Sequence, residues 1–386
     1  MMKSSLAALL TLPLLGAVAF PSSGFSARGD DEGAILDDLR SITTVASTVP
    51  ANGDVNPYGM ARVPRTAGRL HRGHILVSNF NNKANLQGTG TTIVDVAPNG
   101  AVRLFAQIDA SKLPGPCPGG VGLTTALVVL RAGWVIVGSL PTSDGTSATA
   151  EAGCLIVLNS DGVPVKTFAG SPINGPWDMT AADRDSDATL FFTNVLNGTV
   201  AANGKVVNKG TVVRLDLDLD REPSARSLTV IASGLPERTD PAALVIGPTG
   251  LGLGMKASCE AHCVGSEGSD DDQVLYFADT LNNRVAVVQN PLTRRDSSGP
   301  GATLSARGFL NSPLGLAVAP NGHILTVNSN DGFITEIAPD GMQLAHELLD
   351  DTGSPPGTGT LFGVLTVRNS AVYFVDDGSN TLNLLH

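Results

Sequence analysis

The chain contains few aromatic and few charged residues. Of its 386 residues only 4% are aromatic and 16% are charged, and 36 acidic residues against 25 basic ones give a formal net charge of -11. Because no basic stripe is present to neutralise phosphates, nucleic acid is excluded as a partner. Beyond the first residues no apolar run approaches the roughly 20 residues that a membrane span needs, so no span is predicted once a leader is removed.

The common catalytic motifs are also absent. The sequence has no Gly-x-Ser-x-Gly elbow, no phosphate-binding loop and no His-Glu-x-x-His helix. It therefore predicts no established catalytic constellation, and its catalytic residues, if any exist, are unknown.

The first residues have the pattern of an export signal. Lys3 supplies a positive start, residues 6–20 form an apolar run, and Ala17-Val18-Ala19 is a small-residue cleavage site. We predict a signal peptide over residues 1–19, with an alternative cut after residue 27, and a polar lead over residues 20–40. The mature protein is then secreted or periplasmic, and a retained amino-terminal anchor is the alternative.

Only four cysteines are present, and export to an oxidising compartment favours two disulfides. Sequence proximity suggests a Cys259–Cys263 pair, which leaves Cys117 with Cys154. A zinc site that includes His262 is the alternative, although no second paired-cysteine motif accompanies it.

The abundant residues are glycine and proline, with 44 and 24 copies, which is typical of a chain with many turns. Residues 311–348 contain one complete unit of four short strands, predicted at 314–319, 323–328, 333–338 and 343–348. Asn321-Gly322 and Asp340-Gly341 fit tight hairpins that need positive φ. A single meander of this size cannot bury both its faces, so the pattern predicts neighbours of the same kind.

The start of this unit, Pro-x-Gly-apolar, recurs along the chain at intervals of roughly 50–70 residues, which indicates a repeat architecture. The six starts are Pro57-Tyr58-Gly59-Met60, Val121-Gly122-Leu123, Pro176-Trp177-Asp178-Met179, Pro248-Thr249-Gly250-Leu251, Pro313-Leu314-Gly315-Leu316 and Phe362-Gly363-Val364. The strand that follows five of these starts ends in Asn or Asp: Asn79, Asn194, Asp279, Asn328 and Asp376. We interpret these as structural turn residues that bond nearby backbone, with ligand binding as the alternative.

The last copy of the repeat is one strand short. Residues 381–385 form its third strand, and residues 42–47 are a spare strand near the other end. Pairing the two closes the ring and removes an exposed edge. The sequence therefore predicts an all-β fold, a six-bladed β-propeller over residues 41–386 closed by an amino-terminal strand that completes the last blade.

Residues 277–285, Phe-Ala-Asp-Thr-Leu-Asn-Asn-Arg-Val, together with the Pro-x-Gly starts, resemble the NHL repeat. In layout the chain is also similar to the SMP-30/gluconolactonase group of six-bladed propellers. The resemblance implies a binding platform in most members and an enzyme in a minority. For the SMP-30-like enzymes the resemblance implies a metal site with acidic and amide ligands, one of which is an Asp just before the Gly of a repeat start. At that place this chain has Tyr58, Trp177, Thr249, Leu314 and Phe362.

Alternating strand direction puts the repeat starts on one face, around the mouth of a central channel. We predict that this mouth is lined by Asn56, Tyr58, Asn174, Trp177, Asp178, Asn311 and Phe362. The three aromatic residues could stack on a ligand or wedge between blades. Asp178, with the three asparagines as oxygen donors, could hold a hard cation such as Ca²⁺.

Together these features predict an exported, monomeric binding module whose partner is a small molecule, a sugar or a protein, with no established cofactor. The alternative is a Ca²⁺-dependent lactonase or hydrolase of the SMP-30/gluconolactonase type.

Overall fold

The computed structural model describes residues 33–256, 270–367 and 370–386. The predicted signal peptide and the predicted Cys259–Cys263 pair lie outside these residues. Within them the strands form six antiparallel sheets. The first strand of each sheet contacts the first strands of the two neighbouring sheets, so the six sheets surround a common axis as blades. The predicted six-bladed β-propeller is confirmed.

Strand β1 spans Ile42–Ser47 and precedes the first blade. Blade 1 contains β2 (Val55–Arg62), β3 (Ile75–Asn81), β4 (Thr92–Val96) and β5 (Val102–Gln107), and blade 2 contains β6 (Leu123–Val129), β7 (Val135–Ser139), β8 (Cys154–Leu158) and β9 (Pro164–Phe168). Blade 3 has five strands, β10 (Pro176–Asp183), β11 (Asp187–Asn194), β12 (Val207–Asp218), β13 (Ser224–Asp240) and β14 (Leu244–Ile246).

The remaining blades follow the same order. Blade 4 contains β15 (Pro248–Met255), β16 (Gln273–Asp279), β17 (Arg284–Gln289) and β18 (Ala302–Ala306), and blade 5 contains β19 (Pro313–Val318), β20 (Ile324–Asn328), β21 (Phe333–Ile337) and β22 (Gln343–Leu348). Blade 6 contains β23 (Leu361–Thr366), β24 (Val372–Asp376), β25 (Thr381–Leu385) and, at its edge, β1. The helical turns are Ile35–Asp38, Ala110–Lys112, Ser147–Thr149, Thr199–Ala202, Asp270–Asp272 and Thr280–Asn282. Among the helices of these described ranges, none has the length and apolarity that crossing a membrane requires.

The ring closes between β1 and β25, as the sequence predicted. The two strands are antiparallel, from Ile42 opposite Leu385 to Ser47 opposite Thr381. The Ser41 amide donates to the His386 carbonyl at 3.0 Å, and the His386 amide donates to the Ser41 carbonyl at 2.9 Å. The outer edge of blade 6 is therefore covered by a strand from the opposite end of the described chain.

The residues just before β1, 33–40, are the described part of the predicted polar lead, and they pack on blade 5. Ile35 and Leu36 are buried, and their amides donate to the two carboxylate oxygens of Glu336 at 2.9 Å each. His323 Nδ1 lies 2.6 Å from Glu336 Oε1. A carboxylate with no exposed surface thus bonds three groups, which is the usual condition for burying a charge.

Cys117 and Cys154, predicted to pair, form a disulfide across 37 residues. It joins the loop before β6 to the first residue of β8, within blade 2. Both residues lie at the channel-mouth end, where the repeat starts also lie.

Candidate functional site

The central channel contains two cavities that share no lining residue. The first halves of the first strands line the mouth pocket, a cavity of about 410 Å³ at the end where the repeats start. The second halves line the lower funnel, a cavity of about 420 Å³ at the opposite end.

The aromatic cluster, Tyr58, Phe80, Trp177 and Phe362, lies beneath the mouth pocket. The Tyr58 ring stacks on Phe362 with centroids 3.9 Å apart and on Phe80 at 4.6 Å. Trp177 meets Tyr58 and Phe80 edge to face, at 6.0 and 5.6 Å. All four side chains are buried, so they pack between blades 1, 3 and 6, and three of them also form the pocket floor.

Polar side chains form most of the pocket wall above this floor. Amide, hydroxyl and charged groups come from every blade except the second: Asn56, Asn81, Asn85, Gln87, Arg238, Asp240, Thr280, Ser329, Asn330, Thr358 and Asp377. Amides both donate and accept hydrogen bonds, and hydroxyls do the same. The wall can therefore bond a ligand with many hydroxyl or carbonyl groups.

The mouth hairpin, residues 236–246, covers part of the pocket. It is formed by the end of β13 and by β14, with Arg238 opposite Ile246. The Gln87 side-chain amide donates to the Ala242 carbonyl at 3.0 Å, and the Gly204 amide donates to Thr239 Oγ1 at 2.9 Å. Leu244 and Val245 are buried in the same apolar cluster as the aromatic residues. Six residues of the hairpin line the pocket, so it determines how far the mouth is open.

A buried carboxyl holds the base of the mouth hairpin. The Asn197 amide donates to Glu237 Oε1 at 3.0 Å, and Glu237 has no exposed surface. Burial raises the pKa of Glu237 to about 7, although the bonds from Asn197 and the charge of Lys209 act in the opposite direction.

Asp377 is the carboxyl with the fewest partners in the pocket wall. It is half-buried, and within the described residues its side chain makes no hydrogen bond or ion pair. Burial raises its pKa to about 8, with further contributions from the neighbouring carboxylates of Asp376 and Asp350. Its charge in turn adds to burial in raising the pKa of Tyr58 well above the usual value.

Two amide oxygens of other lining residues also lack donors. Asn81 Oδ1 and Gln87 Oε1 are buried and have no hydrogen-bond partner, and both residues line the mouth pocket. A buried acceptor without a donor costs roughly 1–3 kcal/mol. Because these two oxygens have almost no exposed surface, Asp377 is the acceptor without a partner that a ligand in the pocket can reach.

The structure places four of the seven predicted mouth residues, Asn56, Tyr58, Trp177 and Phe362, in the mouth pocket. Asn174 does not line it, because its side chain bonds Asn194 and Asn197 at 2.7 and 2.9 Å. Nor does Asn311, whose side chain donates to Asp331 at 2.6 Å. Asp178 lines the lower funnel instead. The cation set predicted around Asp178 is therefore not brought together.

The predicted turn residues lie opposite the repeat starts, with Pro57 facing Asn79 and Pro313 facing Asn328. The side chains of Asn79, Asn194, Asn328 and Asp376 bond backbone groups, at 2.8–3.1 Å. Asp279 instead accepts from the side chains of Asn282 and Arg284, both at 2.8 Å.

The described ranges contain no group of three or more His, Cys, Asp and Glu side chains suited to a metal ion. At the place where the SMP-30 resemblance implies metal ligands, Tyr58 and Phe362 stack on each other, and neither provides a carboxylate or amide oxygen. These residues do not fit a Ca²⁺ site of that kind.

Sequence reasoning missed Asp377 and the mouth hairpin. Asp377 directly follows the repeat turn residue Asp376, and this doubled acid, unlike the other repeats, was an available signal. The hairpin falls in the long interval between the repeat starts at Pro176 and Pro248, where no pattern marks its position.

The solved structures to which this chain is similar include six-bladed propellers of the SMP-30/gluconolactonase kind. A gluconolactonase from Xanthomonas campestris is 15% identical over 91% of this chain and 90% of its own, with a TM-score of 0.53. A luciferin-regenerating enzyme is 12% identical over 89% and 94%, with a TM-score of 0.55. Regucalcin from Agrobacterium tumefaciens, described as a calcium-binding protein, is 10% identical over 88% and 92%, with a TM-score of 0.51.

No protein-family model matches the chain, and no curated protein matches it. At these identities the likeness shows the fold alone.

Proposed function

We propose that the mouth pocket binds a small polyhydroxylated molecule, a sugar or a sugar lactone. The observation that carries this proposal is Asp377, a half-buried carboxyl of the pocket wall whose side chain bonds no other described group, among the amide and hydroxyl side chains of that wall. A hydroxyl group of a ligand would donate to Asp377, and the amides would donate to and accept from its other oxygens.

The size and the floor of the pocket support the same ligand class. Its volume of about 410 Å³ lies in the usual range of small-molecule sites. The floor of Tyr58, Trp177 and Phe362 offers apolar surface to the C–H face of a sugar ring. Asn56 and Asn330 add amides at the sides.

The test is titration of the purified protein with pyranose sugars and glucono-lactone, followed by calorimetry and ligand-observed NMR. At about pH 9, where Asp377 is ionised, Asp377→Asn replaces a charged acceptor by an amide of the same shape. Asp351→Asn is the matched control because Asp351 is exposed on the same blade's entry loop. A hydrogen bond to a charged group contributes about 1.5–3 kcal/mol, so Asp377→Asn should weaken binding by about tenfold or more. Equal affinity of both variants and wild type, or no binding of any polyol, would refute the proposal.

Hydrolysis of a sugar lactone is the second candidate, and the likeness to a gluconolactonase favours it. Because the metal ligands implied by the resemblance do not fit, we assign the chemistry to Asp377. With a pKa near 8, this carboxylate is a stronger base than an ordinary aspartate. It would accept a proton from water as the water oxygen adds to the lactone carbonyl, and would return the proton to the ring oxygen as the C–O bond breaks.

Lactone hydrolysis followed with a pH indicator, with and without EDTA, separates the two candidates. Catalysis by Asp377 predicts activity that survives EDTA and falls by about 10²–10⁴ in Asp377→Asn. Loss of activity in EDTA would instead favour a divalent metal, and binding without turnover would leave the chain as a binding module.

We also propose that the chain is exported after cleavage following residue 19 or residue 27. The signal pattern supports this, and so does the Cys117–Cys154 disulfide, since such bonds persist in oxidising compartments. Intact mass and amino-terminal sequencing of the extracellular or periplasmic fraction test it. A reduced protein that retains Met1 in the cytoplasm would contradict it.

A further inference from the structure

The lower funnel is a second cavity that the proposed function does not use. It lies on the opposite side of the aromatic cluster from the mouth pocket and shares no lining residue with it. Its volume, about 420 Å³, is that of a small-molecule site.

The walls of the funnel are largely apolar. Half-buried side chains from five blades face it: Met60, Val128, Leu253, Val318 and Leu365. The charged groups in its lining are Arg62 and Asp183 at the ends of β2 and β10, and Asp178 nearer the aromatic cluster. Asp183 Oδ2 already accepts from the Arg131 amide at 2.6 Å.

Asp178 stands where blades 1, 4, 5 and 6 have a glycine. A Cβ atom at Gly315 would lie 1.8 Å from the Phe362 carbonyl oxygen, and one at Gly250 would lie 2.3 Å from that of Leu314. Blade 3 departs from this close approach. Its Asp178 carboxyl accepts from the Met179 amide at 2.7 Å, and the Leu251 amide of blade 4 lies near enough to favour its ionised form. Position 178 therefore carries a carboxyl group at a place where four other blades have no side chain.

The Asp178 carboxyl has no counter-ion among the described residues. Burial raises its pKa to about 8, and only the two backbone amides oppose this. An ionised carboxylate offers about four acceptor sites, so two donors leave part of it unused. A buried carboxylate gains most from a cation that also donates hydrogen bonds.

We propose that the lower funnel binds an organic ammonium ion with an apolar body, the ammonium group on Asp178 and the body against the apolar wall. A hard metal ion fits less well, because it prefers several charged oxygen ligands, and the only carboxyls of the lining are Asp178 and Asp183, which already accepts from the Arg131 amide. An anion would face a carboxylate, and a neutral apolar molecule would leave that carboxylate without a donor.

The experiment uses calorimetry to compare the binding of n-hexylammonium and n-hexanol, two probes of similar length that differ in charge. It is done at about pH 9, because at that pH Asp178 is ionised and an alkylamine is still protonated. Wild type should bind hexylammonium at least about tenfold more tightly than hexanol. Asp178→Asn should remove that preference, while the exposed control Asp161→Asn should keep it. Equal affinity for the two probes in wild type, or an unchanged preference in Asp178→Asn, would overturn the proposal.

Because Asp178 joins blades 3 and 4, its variant could fold poorly, and a measurement on wild type provides an independent test. Hexylammonium affinity should increase as the pH rises from about 6 to about 9, because Asp178 loses its proton in that interval. The other charged groups of the funnel lining are Arg62 and Asp183, at its outer end. An affinity independent of pH would refute the proposal, and neither result bears on polyol binding at the mouth.

Discussion

Tyr58 in blade 1 and Phe362 in blade 6 stack with their ring centroids 3.9 Å apart. The two residues occupy the same place in their repeats, one before the glycine of the repeat start. Their contact ties the first blade to the last at the channel axis and separates the mouth pocket from the lower funnel.

We expect Phe362→Ala to lower the free energy of unfolding by about 3–5 kcal/mol, because it leaves a cavity in buried aromatic packing. Phe309→Ala is the matched control. That ring is 41% exposed and stacks on His346 at the surface, so its loss should cost less than about 1 kcal/mol. Urea unfolding of both variants measures the difference. Similar losses would show that the aromatic cluster is not tightly packed.

Glu336→Ala should both destabilise the protein and release residues 33–40 from blade 5. The substitution leaves the amides of Ile35 and Leu36 without their acceptor, at roughly 1–3 kcal/mol for each buried group. Limited proteolysis with mass spectrometry should then detect cleavage between residues 33 and 40.

The control for this prediction is Glu347→Ala, which removes an exposed ion pair with Arg40 at 3.0 Å. Such surface pairs contribute about 0–1 kcal/mol, so cleavage should remain slow. Equal proteolysis of the two variants would mean that Glu336 does not hold the segment.

Because of Glu237, the free energy of unfolding should decrease as the pH rises from about 4.5 to about 7. Its pKa is about 7 in the folded protein against a usual value of 4.5, so in this interval the folded state binds more protons than the unfolded state. Glu237→Gln does not titrate, so its stability relative to wild type should increase through the interval and stay constant above it.

Thermal unfolding across this pH range measures the effect, with the more exposed Glu222→Gln as a control that should follow wild type. Parallel curves for Glu237→Gln and wild type would contradict the predicted shift.

Replacing Cys117 and Cys154 by serine should lower the free energy of unfolding by about 3–4 kcal/mol, since the bond closes a loop of 37 residues in the unfolded chain. Wild type treated with reductant should have the same stability as this double variant. A double variant as stable as the oxidised protein would show that the bond contributes little.

The architecture was predictable because each repeat is one continuous stretch of sequence whose strands pair with their neighbours along the chain. Residues 42–47 and 381–385 could be paired by counting strands, since a blade without its fourth strand has an exposed edge. The pairing of Cys117 with Cys154 was predictable in another way, because the closeness in sequence of Cys259 and Cys263 left these two cysteines for each other.

The site was less predictable, because the repeat pattern does not show how far along the channel axis a residue of a blade's first strand lies. Tyr58 and Trp177 lie at the mouth, whereas Asp178, one residue further along, lines the opposite cavity. The mouth hairpin is an insertion in a single blade, so no other copy indicated its form. Asp377 was hidden because its neighbour, Asp376, occupies the recognised turn position.

The reciprocal bonds between Ser41 and His386 place residues from opposite ends of the described chain side by side. A short peptide could join these positions without breaking any strand pair, although it would replace residues 33–40 and their bonds to Glu336. New termini could be opened at an exposed outer turn such as Pro98-Asn99. Such a circular permutant would keep every strand pair, but the blade that combines strands from both ends of the chain would no longer be blade 6. Which blade combines the two ends therefore depends on the order of the strands along the chain and not on the packing of the closed ring.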